Sequence, residues 1–145
     1  MGNILVVDDE PDLEALMSQR FRRQVRSGEL SLLFAHDGEE ALAILHDGSD
    51  IDLILSDINM PHMDGLTMLK RTQEIADHPR TVIVSAYGDM TNIRTAMNLG
   101  AFDFVTKPIE FEDLDRTIAK TLEDRAKARE ERRARVGNGR ERSRR

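Results

Sequence analysis

Five short apolar runs, each followed by a segment with helical spacing, constrain this chain more than any other feature. The runs are ILVV (Ile4–Val7), LSLLFA (Leu30–Ala35), IDLILS (Ile51–Ser56), TVIVSA (Thr81–Ala86) and FDFVT (Phe102–Thr106). Most are near-continuous rather than alternating, which suits strands covered on both faces, as in a parallel sheet. Between them, Leu13, Leu16, Met17 and Phe21 fall on one helical stripe, as do Ala41, Leu42 and Leu45. Leu66, Leu69 and Ile75 mark a third stripe, Ile93, Ala96 and Met97 a fourth, and Leu114, Ile118 and Leu122 a fifth. Pro11 suits a first helical turn, where a missing N–H costs little. Gly38 and Gly100 stand where a helix would start and end. Strand–helix alternation repeated five times predicts an α/β fold of right-handed βαβ units on a parallel sheet.

Charge divides the chain unevenly. Residues 1–115 hold 9 Lys and Arg against 22 Asp and Glu, whereas residues 116–145 hold 12 against 5. An acidic body therefore carries a basic tail. We divide the chain at 1–124, the folded domain, and 125–145, a basic extension. RAKAREERRARV (residues 125–136) is helix-prone but offers little to bury, so it reads as a solvated continuation of the last helix. GNGRERSRR (137–145) has no core-forming residue and reads as disordered. The chain has no cysteine, which excludes disulfides and thiolate metal sites. No stretch approaches a membrane span, and the N-terminal apolar run lacks the features of a secretory signal. A cytoplasmic protein is expected.

In an open parallel α/β sheet, ligands bind beyond the carboxyl ends of the strands. There the runs deliver Asp8, Asp9 and Glu10 after the first, Asp57 after the third, Ser85 in the fourth, and Thr106, Lys107 and Pro108 at the fifth. Taken singly, a strand-end Asp is most often a helix cap or turn residue, and Asp12, Asp37 and Asp64 keep that reading. Taken jointly, the set carries chemistry. Three neighbouring carboxylates repel one another, and a divalent cation resolves the conflict. Oxygen donors without a closed cage fit Mg²⁺. Lys107 and Ser85 add an ammonium and a hydroxyl. Together these supply charge neutralisation for phosphoryl transfer, with Asp57 as the central candidate nucleophile.

With those residues in view, ILVVDDE, LILSDINMPHMDGL, VIVSAYGD and GAFDFVTKPI resemble, in order and spacing, the receiver domain of two-component response regulators. The resemblance covers residues 3 to about 122. It implies a flavodoxin-like (βα)₅ three-layer sandwich with strand order 2-1-3-4-5, two helices on one face and three on the other. It implies that Asp57 is the phosphoacceptor and that Asp8 and Asp9 hold Mg²⁺, with a backbone carbonyl from Asn59. It implies further that Ser85 is the switch hydroxyl, Phe104 the switch aromatic, and Lys107 the lysine that meets the phosphoryl oxygens. The Lys107–Pro108 bond is expected to be cis. Ser85 replaces the commoner threonine, a minor departure. Implied partners are a sensor histidine kinase or histidine phosphotransfer protein and a downstream protein effector, with a homodimer left open. No specific nucleic acid is expected, since no helix-turn-helix pattern accompanies the arginines.

Other classes fit less well. An aspartyl-phosphate enzyme of the haloacid dehalogenase type wants a second Asp two residues after the first, where Asn59 stands, and places its nucleophile on the first strand. No GxxxxGK[ST] or GxGxxG pattern supports nucleotide binding. The four histidines show no metal-ligand spacing. Tyr87, two residues past Ser85, is large enough to shade an acyl phosphate from water.

Overall fold

The computed structural model describes residues 2–58, 64–86 and 88–143, with side chains described as far as Arg135. Asn59, Met60, Pro61, His62, Met63 and Tyr87 lie outside the described residues, and with them the expected Asn59 carbonyl ligand and the shading by Tyr87.

The elements are β1 (Gly2–Val7), α1 (Pro11–Arg20), α2 (Arg22–Ser27), β2 (Leu30–Ala35), α3 (Gly38–His46), β3 (Leu53–Asp57), α4 (Gly65–Gln73), β4 (Arg80–Ala86), α5 (Met90–Asn98), β5 (Asp103–Lys107) and α6 (Phe111–Ser143). The strands form one sheet of order β2-β1-β3-β4-β5. All four strand pairs are parallel.

Apolar periodicity explains the layers. On one face Ile4, Val6, Leu53, Leu55, Val82, Val84 and Val105 meet Leu13, Met17 and Phe21 of the first helical segment and Leu114 and Ile118 of α6. On the other, Leu5, Val7 and Ile54 meet α3 and α4 through Ala41, Leu42 and Met68. Ile58, Ile83, Leu69 and Ala96 complete that face beneath α4 and α5. β3 is buried at every residue, and each full burial of a Leu or Ile contributes about 1.5–3 kcal/mol. β2 differs from the continuous cover expected of it. It lies at the sheet edge, where its residues alternate between half-buried and exposed up to the buried Ala35.

Two caps follow the sequence reading. Asp37 and Asp64 stand before α3 and α4, and their side chains accept from Glu40 N and Thr67 N. The first helix departs from it. The backbone leaves helical geometry at Phe21 (φ −108°, ψ 19°), which splits the segment into α1 and α2. Phe21 is itself buried, so the break costs no core contact.

The basic extension also departs from expectation. The helix runs to Ser143 without a break at Gly137, where the sequence predicts disorder. Its first half is the solvated helical continuation expected, exposed at most positions, with Arg125 as the buried exception. Arg125 is 5 % exposed and shares one helical stripe with the buried Leu114, Ile118 and Thr121. Its Nη1 donates to Asp77 Oδ1 (3.0 Å) and to the His78 carbonyl (2.9 Å), and its Nη2 to the Asp77 carbonyl (3.0 Å). Arg129 Nη1 reaches both Asp50 and Asp52 at 3.2 Å, and Arg132 Nη1 lies 2.9 Å from Asp77. Burial pushes the Asp77 carboxyl up, but Arg125, Arg129 and Arg132 outweigh it and hold the group below the ordinary carboxylate range. The acidic body thus captures its own basic helix, and a division at residue 124 cuts through this ion-pair network. Elsewhere Arg20 ties α1 to α6 by pairing with Asp115 and lying over the Phe111 ring, 4.9 Å from its centroid.

Candidate functional site

Register at the carboxyl edge assembles the site. Val7 lies beside Ser56, so Asp8 follows β1 at the level where β3 ends on Asp57. Asp57 lies beside Val84, Ser85 beside Thr106, and Lys107 beside Ala86. Each functional residue is therefore at or next to a strand terminus, held by a ladder that continues behind it. The Asp8 N–H donates to the Ala35 carbonyl and the Ile58 N–H to the Val84 carbonyl, both at 3.1 Å. These bonds extend the ladders past the last apolar residues.

Carboxylate oxygens of Asp8, Asp9 and Asp57 lie within 4.8 Å of one another. Asp8 and Asp57 are each 6 % exposed, whereas Asp9 is exposed. Asp8 Oδ1 accepts from Glu10 N (3.1 Å) and Oδ2 from Leu13 N (3.0 Å). Both its oxygens are thereby anchored to the start of α1. Burial pushes the Asp8 carboxyl up, and the charge of Asp57 adds to this. The two backbone N–H groups and Lys107 pull the other way, and the net direction is upward.

Lys107 Nζ lies 2.7 Å from Asp57 Oδ2. That hydrogen bond raises the lysine's pKa, burial opposes it, and the charges of Asp57, Asp8 and Glu10 reinforce the rise. The Lys107–Pro108 peptide bond is cis, as expected. Ser85 is buried, and its hydroxyl donates to Asp89 Oδ2 at 3.3 Å. Phe104 is half-buried. It sits beside Ile83, one step back from Ser85 on the same face of the sheet, and packs on the cluster of Ile58, Leu69, Ile83, Ala96 and Ala101.

The acidic set suits a small hard cation. All its donors are carboxylate oxygens, they converge from two strand ends, and the exposed Asp9 leaves one side open. Among the histidines, His36 follows β2 at this edge but is exposed and faces Glu40, His46 is exposed at the end of α3, His78 is half-buried before β4, and His62 lies outside the described residues.

The structure also supplies residues that the sequence did not single out. Gly65 opens α4, and a Cβ there would stand 2.7 Å from both the Asp57 carbonyl oxygen and Ile58 Cα. The constraint on this glycine is close backbone approach to Asp57. Asp89, the partner of Ser85, closes the VIVSAYGD segment, but the resemblance assigns it no role. Arg125 had a signal, because it continues the spacing of Leu114, Ile118 and Thr121.

Comparison with known proteins agrees with the fold. Residues 4–119 match the response regulator receiver domain family. The chain is 31 % identical over 119 residues to sporulation initiation phosphotransferase F of Bacillus subtilis, covering 82 % of this chain and 92 % of that protein. It is 33 % identical over 118 residues to the DNA-binding transcriptional regulator NtrC of Proteus hauseri, covering 81 % of this chain and 23 % of that one. It is 32 % identical over 131 residues to the transcriptional regulatory protein GlrR of Escherichia coli, covering 90 % and 28 %. The chain thus spans about a quarter of the length of these transcription regulators. Among solved structures, the signal receiver domain of an HD domain-containing protein from Pseudomonas fluorescens superposes with a TM-score of 0.81 at 26 % identity, covering 89 % of this chain and 92 % of that one. Strand order, the acidic cluster at the carboxyl edge and the match over residues 4–119 converge: the chain belongs to the receiver domain family of two-component response regulators.

Proposed function

We propose that this receiver accepts a phosphoryl group on Asp57 from a phosphohistidine of a sensor kinase or phosphotransfer protein. One Asp57 carboxylate oxygen attacks phosphorus in line. The P–N bond breaks, the imidazole leaves with its electron pair and takes a proton, and Asp57 becomes an acyl phosphate. Asp8, Asp9, Asp57 and the Asn59 carbonyl would hold Mg²⁺, which supplies positive charge against the phosphoryl oxygens. Lys107 stands by Asp57 to meet a second phosphoryl oxygen. Ser85 donates its hydroxyl to a third, and the space it vacates admits Phe104. Water later releases phosphate and returns Asp57. The same site supports phosphorylation by a small donor without a partner protein.

The observation that carries this reading is the convergence of Asp8, Asp9 and Asp57 within 4.8 Å, with Lys107 Nζ 2.7 Å from Asp57. Output leaves through protein contact, to a downstream effector or a second copy, in the cytoplasm. We take the functional unit as residues 1–124 with the basic helix as its extension. No helix among the described residues is long and apolar enough to cross a membrane. Incubation with Mg²⁺ and acetyl phosphate, followed by intact-mass measurement, tests the reading. One added phosphate on the wild type and none on Asp57→Ala is expected. No addition on the wild type, or the same addition on Asp57→Ala, overturns it.

A further inference from the structure

We infer that Asp89 is a positioning residue that holds the Ser85 hydroxyl in the resting state and so sets how readily the receiver switches. The inference rests on the reading of Asp57 as phosphoacceptor and names a competitor to the phosphoryl group within the same site.

Ser85 is 1 % exposed, and a hydroxyl so buried requires a partner. It donates to Asp89 Oδ2, and that oxygen also accepts from Asn92 Nδ2 at 3.0 Å. Asp89 occupies the residue before α5, the position where Asp37 and Asp64 cap α3 and α4. Yet Asp89 caps nothing. Its backbone is not extended (φ −82°, ψ 57°), and its side chain makes no bond to a first-turn N–H. An aspartate at this position ordinarily accepts from the second or third helical N–H. Here the carboxylate is turned instead to Ser85 and Asn92.

A serine hydroxyl has one proton to donate. It serves either the Asp89 carboxylate or a phosphoryl oxygen on Asp57, not both. Drawing Ser85 inward therefore breaks the bond to Asp89 and frees that carboxylate for the first-turn amides of α5. The path from the phosphorylated site to α5 then runs through three side chains in sequence: Ser85, Asp89 and Asn92. Asp89 opposes the switch before phosphorylation and reorders the start of α5 after it.

The test measures binding of beryllofluoride, a phosphoryl mimic, to the full chain in saturating Mg²⁺ by calorimetry. Asp89→Ala should bind about tenfold more tightly than the wild type, and Asp89→Asn, which keeps an uncharged acceptor, about threefold. In a Ser85→Ala background the Asp89→Ala change should have no effect. That cycle separates positioning from general destabilisation, which Ser85 would not influence. Far-UV circular dichroism checks folding, and Asp89→Asn carries the test if Asp89→Ala does not fold. Unchanged affinity in both Asp89 variants overturns the inference, as does a gain that persists without Ser85. Failure of the wild type to bind beryllofluoride strikes the reading of Asp57 instead, so the two failures are distinguishable.

Discussion

Lys107 Nζ and Asp57 Oδ2 lie 2.7 Å apart, joining the last residue of β5 to the last residue of β3 across the intervening β4. The lysine thus offsets negative charge at the carboxylate proposed to accept the phosphoryl group. Lys107→Met should fold and lower the rate of acetyl-phosphate labelling about 10²-fold, by analogy with removal of one preorganised charge stabiliser. The Lys107 pKa is raised, so its contribution to stability is full below the ordinary lysine value of about 10.4 and is lost as pH rises through the folded value. The difference in melting temperature between wild type and Lys107→Met should be constant from pH 7 to 10 and shrink above that. A difference that vanishes near neutrality would contradict the assignment.

The acidic cluster should respond to divalent cation. At a Mg²⁺ concentration ten times the dissociation constant, linkage adds about 1.4 kcal/mol of stability. For a domain of this size that is a rise of roughly 3–7 °C in melting temperature. Scanning calorimetry with Mg²⁺, against NaCl of equal ionic strength, measures it. Asp57→Asn and Asp9→Asn should each lose most of the rise, and a chelator should reverse it in the wild type.

Gly65→Ala should cost more than its local backbone suggests. The new methyl group would meet the Asp57 carbonyl and Ile58 Cα, both backbone atoms that cannot swing aside. Overpacking of this kind costs about 1–3 kcal/mol. Gly48→Ala is the control, since Gly48 has a positive φ of 86° but open space around it. Its cost should stay near 1 kcal/mol, the usual strain of a left-handed residue. Both variants are compared by urea denaturation. Only Gly65→Ala should also slow labelling of Asp57, because only there does the strain fall on the proposed phosphoacceptor's own backbone.

The ion pairs of Arg125 and Asp77 make a stability prediction with a defined pH window. Arg125→Ala removes a buried cation and leaves the Asp77 carboxylate and the carbonyls of residues 77 and 78 with fewer donors. A loss of about 3 kcal/mol is expected. The Asp77 carboxyl is held below its ordinary value, so its contribution is full above about pH 3.9 and is lost as pH falls through the lower folded value. The destabilisation caused by Asp77→Asn should therefore be constant from pH 5 to 8 and disappear only in strong acid. Because Asp77 is partly exposed, added salt should reduce it.

Much of the site was legible because a parallel sheet turns sequence order into spatial order. Each apolar run ends at one edge, so the order of the runs alone gathers Asp8, Asp57, Ser85 and Lys107 there. Helix caps at Asp37 and Asp64 were legible for a local reason, since the cap and its amide lie three residues apart. What escaped were contacts set by tertiary approach. Arg125 looked like the end of an apolar stripe because charge is read as exposure, yet its Nη1 and Nη2 are bonded to a loop nearly fifty residues away. Asp89 stands where a cap would, and only the side-chain direction shows that it serves Ser85 instead. The crowding of Gly65 by the Asp57 backbone is likewise invisible along the chain. The exposed side of β2 escaped because edge and central strands can share one apolar composition.

The pairing of Arg80, Arg125, Arg129 and Arg132 with Asp124, Asp50, Asp52 and Asp77 also shapes the electric field around the molecule. Negative charge is cancelled at the end where β3 and β4 begin. At the other end Asp8, Asp9, Glu10, Asp57 and Asp64 stand near the strand termini with Lys107 among them. The negative potential therefore gathers on one pole. A diffusing divalent cation is steered toward the pole that bears the acidic cluster, and this pull fades as rising ionic strength shortens its range.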